Sequence, residues 1–205
     1  MLTKKILTEI NKYYTAKIST HGATSSGVDW NSRESHFLRF EQLSKILPKD
    51  LIFSLMDYGC GFGSLIEFLL ENNFKFNYSG YDISEEMITK AKSIYSSSNI
   101  SFDSKLNGNK YEYTIANGIF NVKLESTNQG WQKHIEKTLN KINQISKKGF
   151  SFNILTSYSE KEFKKGYLYY ADPLYFFDFC KRHFSKNVAL LHDYELYEFT
   201  IIVKK

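Results

Sequence analysis

Apolar residues change their spacing along this chain, and each change marks an element. Up to Pro48 the intervals are helical: KKILTEINKYY, a polar stretch HGATSSGVDWNSRES, then HFLRFEQLSKIL, with Phe37, Leu38, Phe40, Leu43 and Ile46 or Leu47 at helical spacing. Pro48 and Asp50 close this lead-in. Leu51 to Met56 is a continuous apolar run and predicts a buried strand; Ser64 to Glu71 follows as a helix with a broad apolar face. FKFNYSGYDI reads as a second strand, and Ser84, with Glu86 and Met87 behind it, as the cap of a helix through EEMITKAKSIYS. NISFD and YEYTIANGIF are the third and fourth strands. GFSFNILTS is the fifth, after the long amphipathic helix GWQKHIEKTLNKINQISKK. A helix from Pro173 to His183, a strand at NVALLH and a last strand at YEFTIIV complete the order.

Strands alternating with helices predict an α/β fold with a largely parallel sheet covered on both faces. The 205 residues support one sizeable core, with no Pro-, Gly- or Ser-rich linker, repeat or low-complexity tract. The expected division is a helical lead-in or lid over residues 1–48 and an α/β domain over 49–205.

Composition narrows the function classes without choosing one. At 42% hydrophobic and 24% charged residues the chain reads as globular. Its 17 Phe and 15 Tyr exceed what a core alone demands, and GYLYYADPLY suits a cavity wall. The net charge of +5 comes from scattered lysines with acids between them, so no nucleic-acid track is expected and an anionic small substrate is slightly favoured. Two cysteines, Cys60 and Cys180, make no disulfide framework, and with the histidines they show no metal-ligand spacing. LTKKILTEINKYY lacks the apolar core of a signal peptide and no apolar run approaches a membrane span, so cytoplasmic residence without membrane insertion is expected.

The chemistry concentrates in DYGCGFG, residues 57–63, between the first strand and its helix. Such a loop sets backbone amides and a helix N-terminus at the carboxyl edge of the sheet, where open parallel sheets bind ligands. Asp82 ends the second strand and can accept hydrogen bonds from both hydroxyls of a ribose. Dinucleotide sites prefer G-x-G-x-x-G; here the spacing is G-x-G-x-G with Asp57 ahead of it, and a carboxylate there would repel a diphosphate. A cofactor with an ammonium group and a cationic sulfur fits better.

With DYGCGFG, Asp82 in GYDIS, IANGIF and the pair LLHDY and LYEFTIIVKK, the chain resembles the class I S-adenosylmethionine-dependent methyltransferases from about Asp50 to its C-terminus. The resemblance implies a Rossmann-like three-layer sandwich, a mostly parallel seven-stranded sheet with an antiparallel C-terminal strand, and S-adenosyl-L-methionine leaving as S-adenosyl-L-homocysteine. It places Gly59, Cys60, Gly61 and Gly63 around the methionyl part with Asp57 at its amino end. Asp82 and Ile83 then lie at the ribose, Asp103 at the adenine, and Asn117 and Gly118 beside the transferring methyl.

Ahead of this core, GVDWNSRESHFLRFEQL carries Trp30, Asn31 and Arg39. Arg39 sits on an otherwise apolar helical face, where a guanidinium either clamps the cofactor carboxylate or covers apolar surface with its stem. This segment, IANGIFNVKLE, GFSFNILTSYS and YYADPLYFFDFCKRHFS resemble small methyltransferases encoded with bacterial capsule and surface-polysaccharide genes, among them enzymes for the phosphoramidate decoration. The resemblance implies O-methylation of a small phosphorylated or nucleotide-activated metabolite by a monomer or homodimer. The alternatives are a small-molecule N-methyltransferase, a neutral-sugar O-methyltransferase, or a non-catalytic module of the same fold. A neutral acceptor would need a base; His21, His192, Tyr169 and Tyr170 are the catalytic candidates, with Tyr158 and Asp172 nearby in sequence. His134, three residues after Trp131, reads as a helix-surface histidine. No N/D-P-P-Y/F/W stretch points to methylation of DNA bases.

Overall fold

A computed structural model describes residues 2–21 and 32–205. Two helices open the chain, α1 (Leu2–His21) and α2 (Arg33–Ser44). There follow β1 (Phe53–Tyr58), α3 (Ser64–Glu71), β2 (Phe76–Tyr81), α4 (Glu85–Ile94), β3 (Ile100–Asp103) and β4 (Tyr111–Ala116). Then come α5 (Asn128–Ile145), β5 (Ser146–Leu155), α6 (Pro173–His183), β6 (Asn187–Leu191) and β7 (Glu198–Lys204).

The seven strands form one sheet in the order β3-β2-β1-β4-β5-β7-β6. β1 to β5 run parallel, and β7 inserts antiparallel between β5 and β6. Alternate residues of each strand feed two cores. Phe53, Leu55, Phe76, Tyr78 and Ile115 pack with apolar residues of α2, α3 and α4 on one face, and Phe150, Phe152, Ile154, Phe199 and Ile201 with those of α5 and α6 on the other.

Local chemistry explains the element boundaries. Ser84 accepts a hydrogen bond from Met87 N and caps α4, and Asp172 caps α6 through Leu174 N with Pro173 in its first turn. β1 begins two residues later than its apolar run, because Leu51 and Ile52 lie beyond the cover of the helices and are 63% and 68% exposed. β3 and β4 are joined by residues 104–110 without a helix. α2 packs into the sheet through Phe40 and Leu43, whereas α1 crosses the carboxyl edge: Ile6 is buried in the α5–α6 core and Thr15 hydrogen-bonds Ser84 and Glu86.

Candidate active site

The carboxyl ends of β1, β2 and β4 meet beneath α1 in one cleft. Leu7, Ile10 and Tyr14 roof it, and its floor includes Asp57, Gly59, Cys60, Gly61, Asp82, Ile83, Asn117 and Gly118. The glycine loop turns sharply because Gly59, Gly61 and Gly63 take φ of 87°, 52° and 89°. At Gly59 a Cβ would sit 2.2 Å from Ile119 Cγ2, so only glycine lets the loop pass the β4 turn. Gly63 stands back from the cleft as the N-cap of α3.

Asp82 braces the loop: Oδ2 accepts Gly61 N at 2.9 Å and Oδ1 accepts Ser84 N at 2.9 Å. Each oxygen keeps a lone pair for a further donor. Asp57 is buried and accepts the Tyr78 hydroxyl at 2.6 Å. Burial pushes its carboxyl up to about 7, with a smaller rise from the nearby Asp82; burial also raises Asp82. A buried and a half-buried acid at one end of a cleft favour a cationic ligand.

The Asn117–Gly118 turn is held from behind. Asn153 Oδ1 accepts Gly118 N at 2.7 Å, and its Nδ2 donates to Asn117 Oδ1 at 3.0 Å and to Glu198 Oε2 at 2.6 Å. Glu198 Oε1 in turn accepts Nε and Nη2 of Arg39 at 2.9 and 2.8 Å.

Several expectations are corrected. Arg39 is engaged with Glu198 inside the α2–β7 packing and does not line the cleft. Asp103 does not line it either; it accepts Lys105 N in an exposed turn, and Leu106 reaches the cleft instead. Tyr169 is buried in the α5–α6 core, and the Tyr170 hydroxyl accepts Lys165 N and donates to Phe163 O within its own loop. His192 follows the last residue of β6 and packs beside Tyr158 and Phe199, away from the cleft. The reason is topological: with β7 inserted, β6 stands three strands from β4, about 14 Å along the edge. Tyr158 is 69% exposed and Asp172 serves as a helix cap. Trp30, Asn31 and the side chain of His21 lie outside the described residues.

The cleft also gathers residues that the sequence did not single out. His134 was read as a surface histidine, yet it lines the cleft with its ring 5.0 Å from that of Trp131, whose Nε1 donates to Phe120 O at 2.7 Å. Lys137, Thr138 and Lys141 continue the same wall, and His36 enters it from α2. Burial lowers the His36 imidazole to about 3 and that of His134 to about 4, with the positive charges of Arg39, and of Lys141 and Lys137, adding to the effect. The helical spacing of Trp131, His134, Thr138 and Lys141 was visible; which face meets a cleft was not.

Among the described residues no group of three or more His, Cys, Asp or Glu could hold a metal, and no helix is long and apolar enough to cross a membrane.

A methyltransferase-domain family model matches residues 53–172. Rv1506c of Mycobacterium tuberculosis, a protein with a provisional methyltransferase name, is 46% identical over 162 residues, covering 75% of this chain and 93% of the relative. The fold is similar to that of a SAM-dependent methyltransferase from Leishmania major, with a TM-score of 0.62, 16% identity and coverage of 95% and 82% of the two chains. One from Mesorhizobium loti gives a TM-score of 0.55, 13% identity and coverage of 80% and 96%. The glycine turn, the two cleft acids and this strand order therefore belong to a methyltransferase: the chain is a member of the methyltransferase-domain family with the class I fold.

Proposed function

We propose that this methyltransferase uses S-adenosyl-L-methionine to O-methylate a small, polar, phosphorylated or nucleotide-activated metabolite. The observation that carries the cofactor is the pairing of a buried Asp57 with a half-buried Asp82 beside amides of the glycine loop. An ammonium and a sulfonium offset the two acids, whereas a diphosphate would add like charge. S-adenosyl-L-methionine supplies an electrophilic methyl group when bound. The chain's own part is to hold its ends: Asp57 at the amino group, Asp82 at the ribose hydroxyls, and Asn117 and Gly118 at the reacting centre, where alignment carries much of the rate. Residues 49–205 form the catalytic domain in this reading, and residues 1–48 supply the roof through α1.

The acceptor assignment is supported by the roof, which suits a compact molecule rather than a strand of polymer. It is supported also by the two cleft imidazoles, held so low that they are weak bases. A phosphoryl oxygen is already ionised and needs none. The capsule or surface-polysaccharide setting is carried by the likeness of the sequence segments quoted above.

Two measurements test the reading. Calorimetry should give heat with S-adenosyl-L-homocysteine and none with NADH; the reverse overturns the cofactor. Purified protein and S-adenosyl-L-methionine should exchange one proton of a nucleotide-activated precursor for a methyl group, a net gain of the mass of one CH2. Methylation of neutral sugars or amines alone would overturn the acceptor class.

A further inference from the structure

The cleft is chemically divided. Its acids, Asp57 and Asp82, lie at the glycine loop, and its lysines, Lys137 and Lys141, lie on α5. Tyr58 and Tyr81 line the cleft as well, their rings 4.9 Å apart. Lys137 and Lys141 are one helical turn apart, and His134 stands one turn before Lys137, so the three share a face. Among the described residues no carboxylate pairs with either lysine. Glu136, the acid within this stretch, accepts the Tyr175 hydroxyl of α6 at 2.6 Å and Gln132 Nε2 of its own helix at 3.1 Å. His134 Nδ1 is buried with no hydrogen-bond partner. With no access from the cleft, Nδ1 is closed to a ligand; the ring's other nitrogen, Nε2, is neither buried nor hydrogen-bonded and is the atom open to a polar group there.

We propose that His134, Lys137 and Lys141 form the acceptor subsite and hold its phosphoryl group, the lysines by charge and His134 by a hydrogen bond. The inference rests on the methyltransferase reading above and adds the residues that select the substrate. Two unpaired ammonium groups at the mouth of a low-dielectric cleft attract a multivalent anion. The neutral imidazole beside them contributes direction rather than charge. Trp131 fixes the ring by packing against it, so the hydrogen bond has a set orientation.

The test is calorimetric titration of pyrophosphate into the full chain saturated with S-adenosyl-L-homocysteine. Binding should be weakened about tenfold or more in Lys137→Gln/Lys141→Gln, as expected for lost charge-assisted hydrogen bonds. It should be unchanged in the charge-matched control Lys133→Gln/Lys147→Gln. His134→Phe, which keeps a ring against Trp131, should weaken binding as well. Affinity for S-adenosyl-L-homocysteine should be the same in all four proteins. Absence of pyrophosphate binding to the wild type, or equal loss in the control, overturns the subsite and leaves the cofactor reading standing. Parallel loss of S-adenosyl-L-homocysteine affinity in the cleft-lysine variant also overturns it, because the lysines would then serve the cofactor. Absence of S-adenosyl-L-homocysteine binding to the wild type overturns the methyltransferase reading and the subsite together.

Discussion

Arg39 Nη2 lies 2.8 Å from Glu198 Oε1, with both side chains almost wholly out of solvent, and this ion pair reaches the cleft through Asn153. Breaking a buried pair strands a charge, so Arg39→Leu should lower unfolding free energy by about 3–5 kcal/mol. The double variant Arg39→Leu/Glu198→Leu should recover much of that stability while turnover stays low, because Asn153 loses an acceptor that orients it toward Gly118. Denaturant unfolding together with turnover checks both. Normal stability with weakened S-adenosyl-L-homocysteine binding in Arg39→Leu would return the guanidinium to the role of cofactor clamp.

Asp57 sets stability against binding. Its folded-state value is raised to about 7, so its contribution to stability is full below pH about 4 and is lost as pH rises through about 7. Asp57→Asn keeps an acceptor for the Tyr78 hydroxyl and removes that loss. The cofactor-free variant should be more stable than wild type by about 1–2 kcal/mol at pH 8, and should bind S-adenosyl-L-homocysteine more weakly. Thermal unfolding at pH 4 and pH 8 reads the difference, which should vanish at the lower pH.

Gly59 and Ile119 are coupled by contact. Gly59→Ala adds a Cβ at φ 87° and 2.2 Å from Ile119 Cγ2, and should cost about 1–3 kcal/mol in stability. Gly59→Ala/Ile119→Ala should be more stable than the sum of the single changes implies, since the second relieves the clash but leaves the backbone strain. A double-mutant cycle by urea unfolding measures this; strict additivity would mean that the loop moves instead.

The cleft imidazoles predict a pH profile. With His36 at about 3 and His134 at about 4, their stabilising contribution is present above the ordinary imidazole range and falls as pH drops through it toward those values. Neither changes charge at neutral pH, and Asp57, the cleft group raised to about 7, is held ionised once the cofactor ammonium is bound in the proposed reading. The chemical step at saturating cofactor should therefore show no inflection near pH about 6.5. Single-turnover rates across this range check it, and an inflection abolished by His134→Asn would establish a base.

Local patterning determined a great deal by itself. Helical spacing placed α3 and α6 at their observed bounds, Ser84 marked the start of α4, and DYGCGFG with Asp82 marked the floor of the cleft, because strand ends, tight turns and helix starts are decided by neighbours in the chain. Tertiary structure decided what faces the cleft. Arg39 meets an acid 159 residues away, the insertion of β7 carries His192 out along the edge, and the packing of α5 brings His134 and two lysines to the ligand wall. Spacing shows that residues share a helix face or follow a strand, but only strand order and the choice of buried face fix what that position meets.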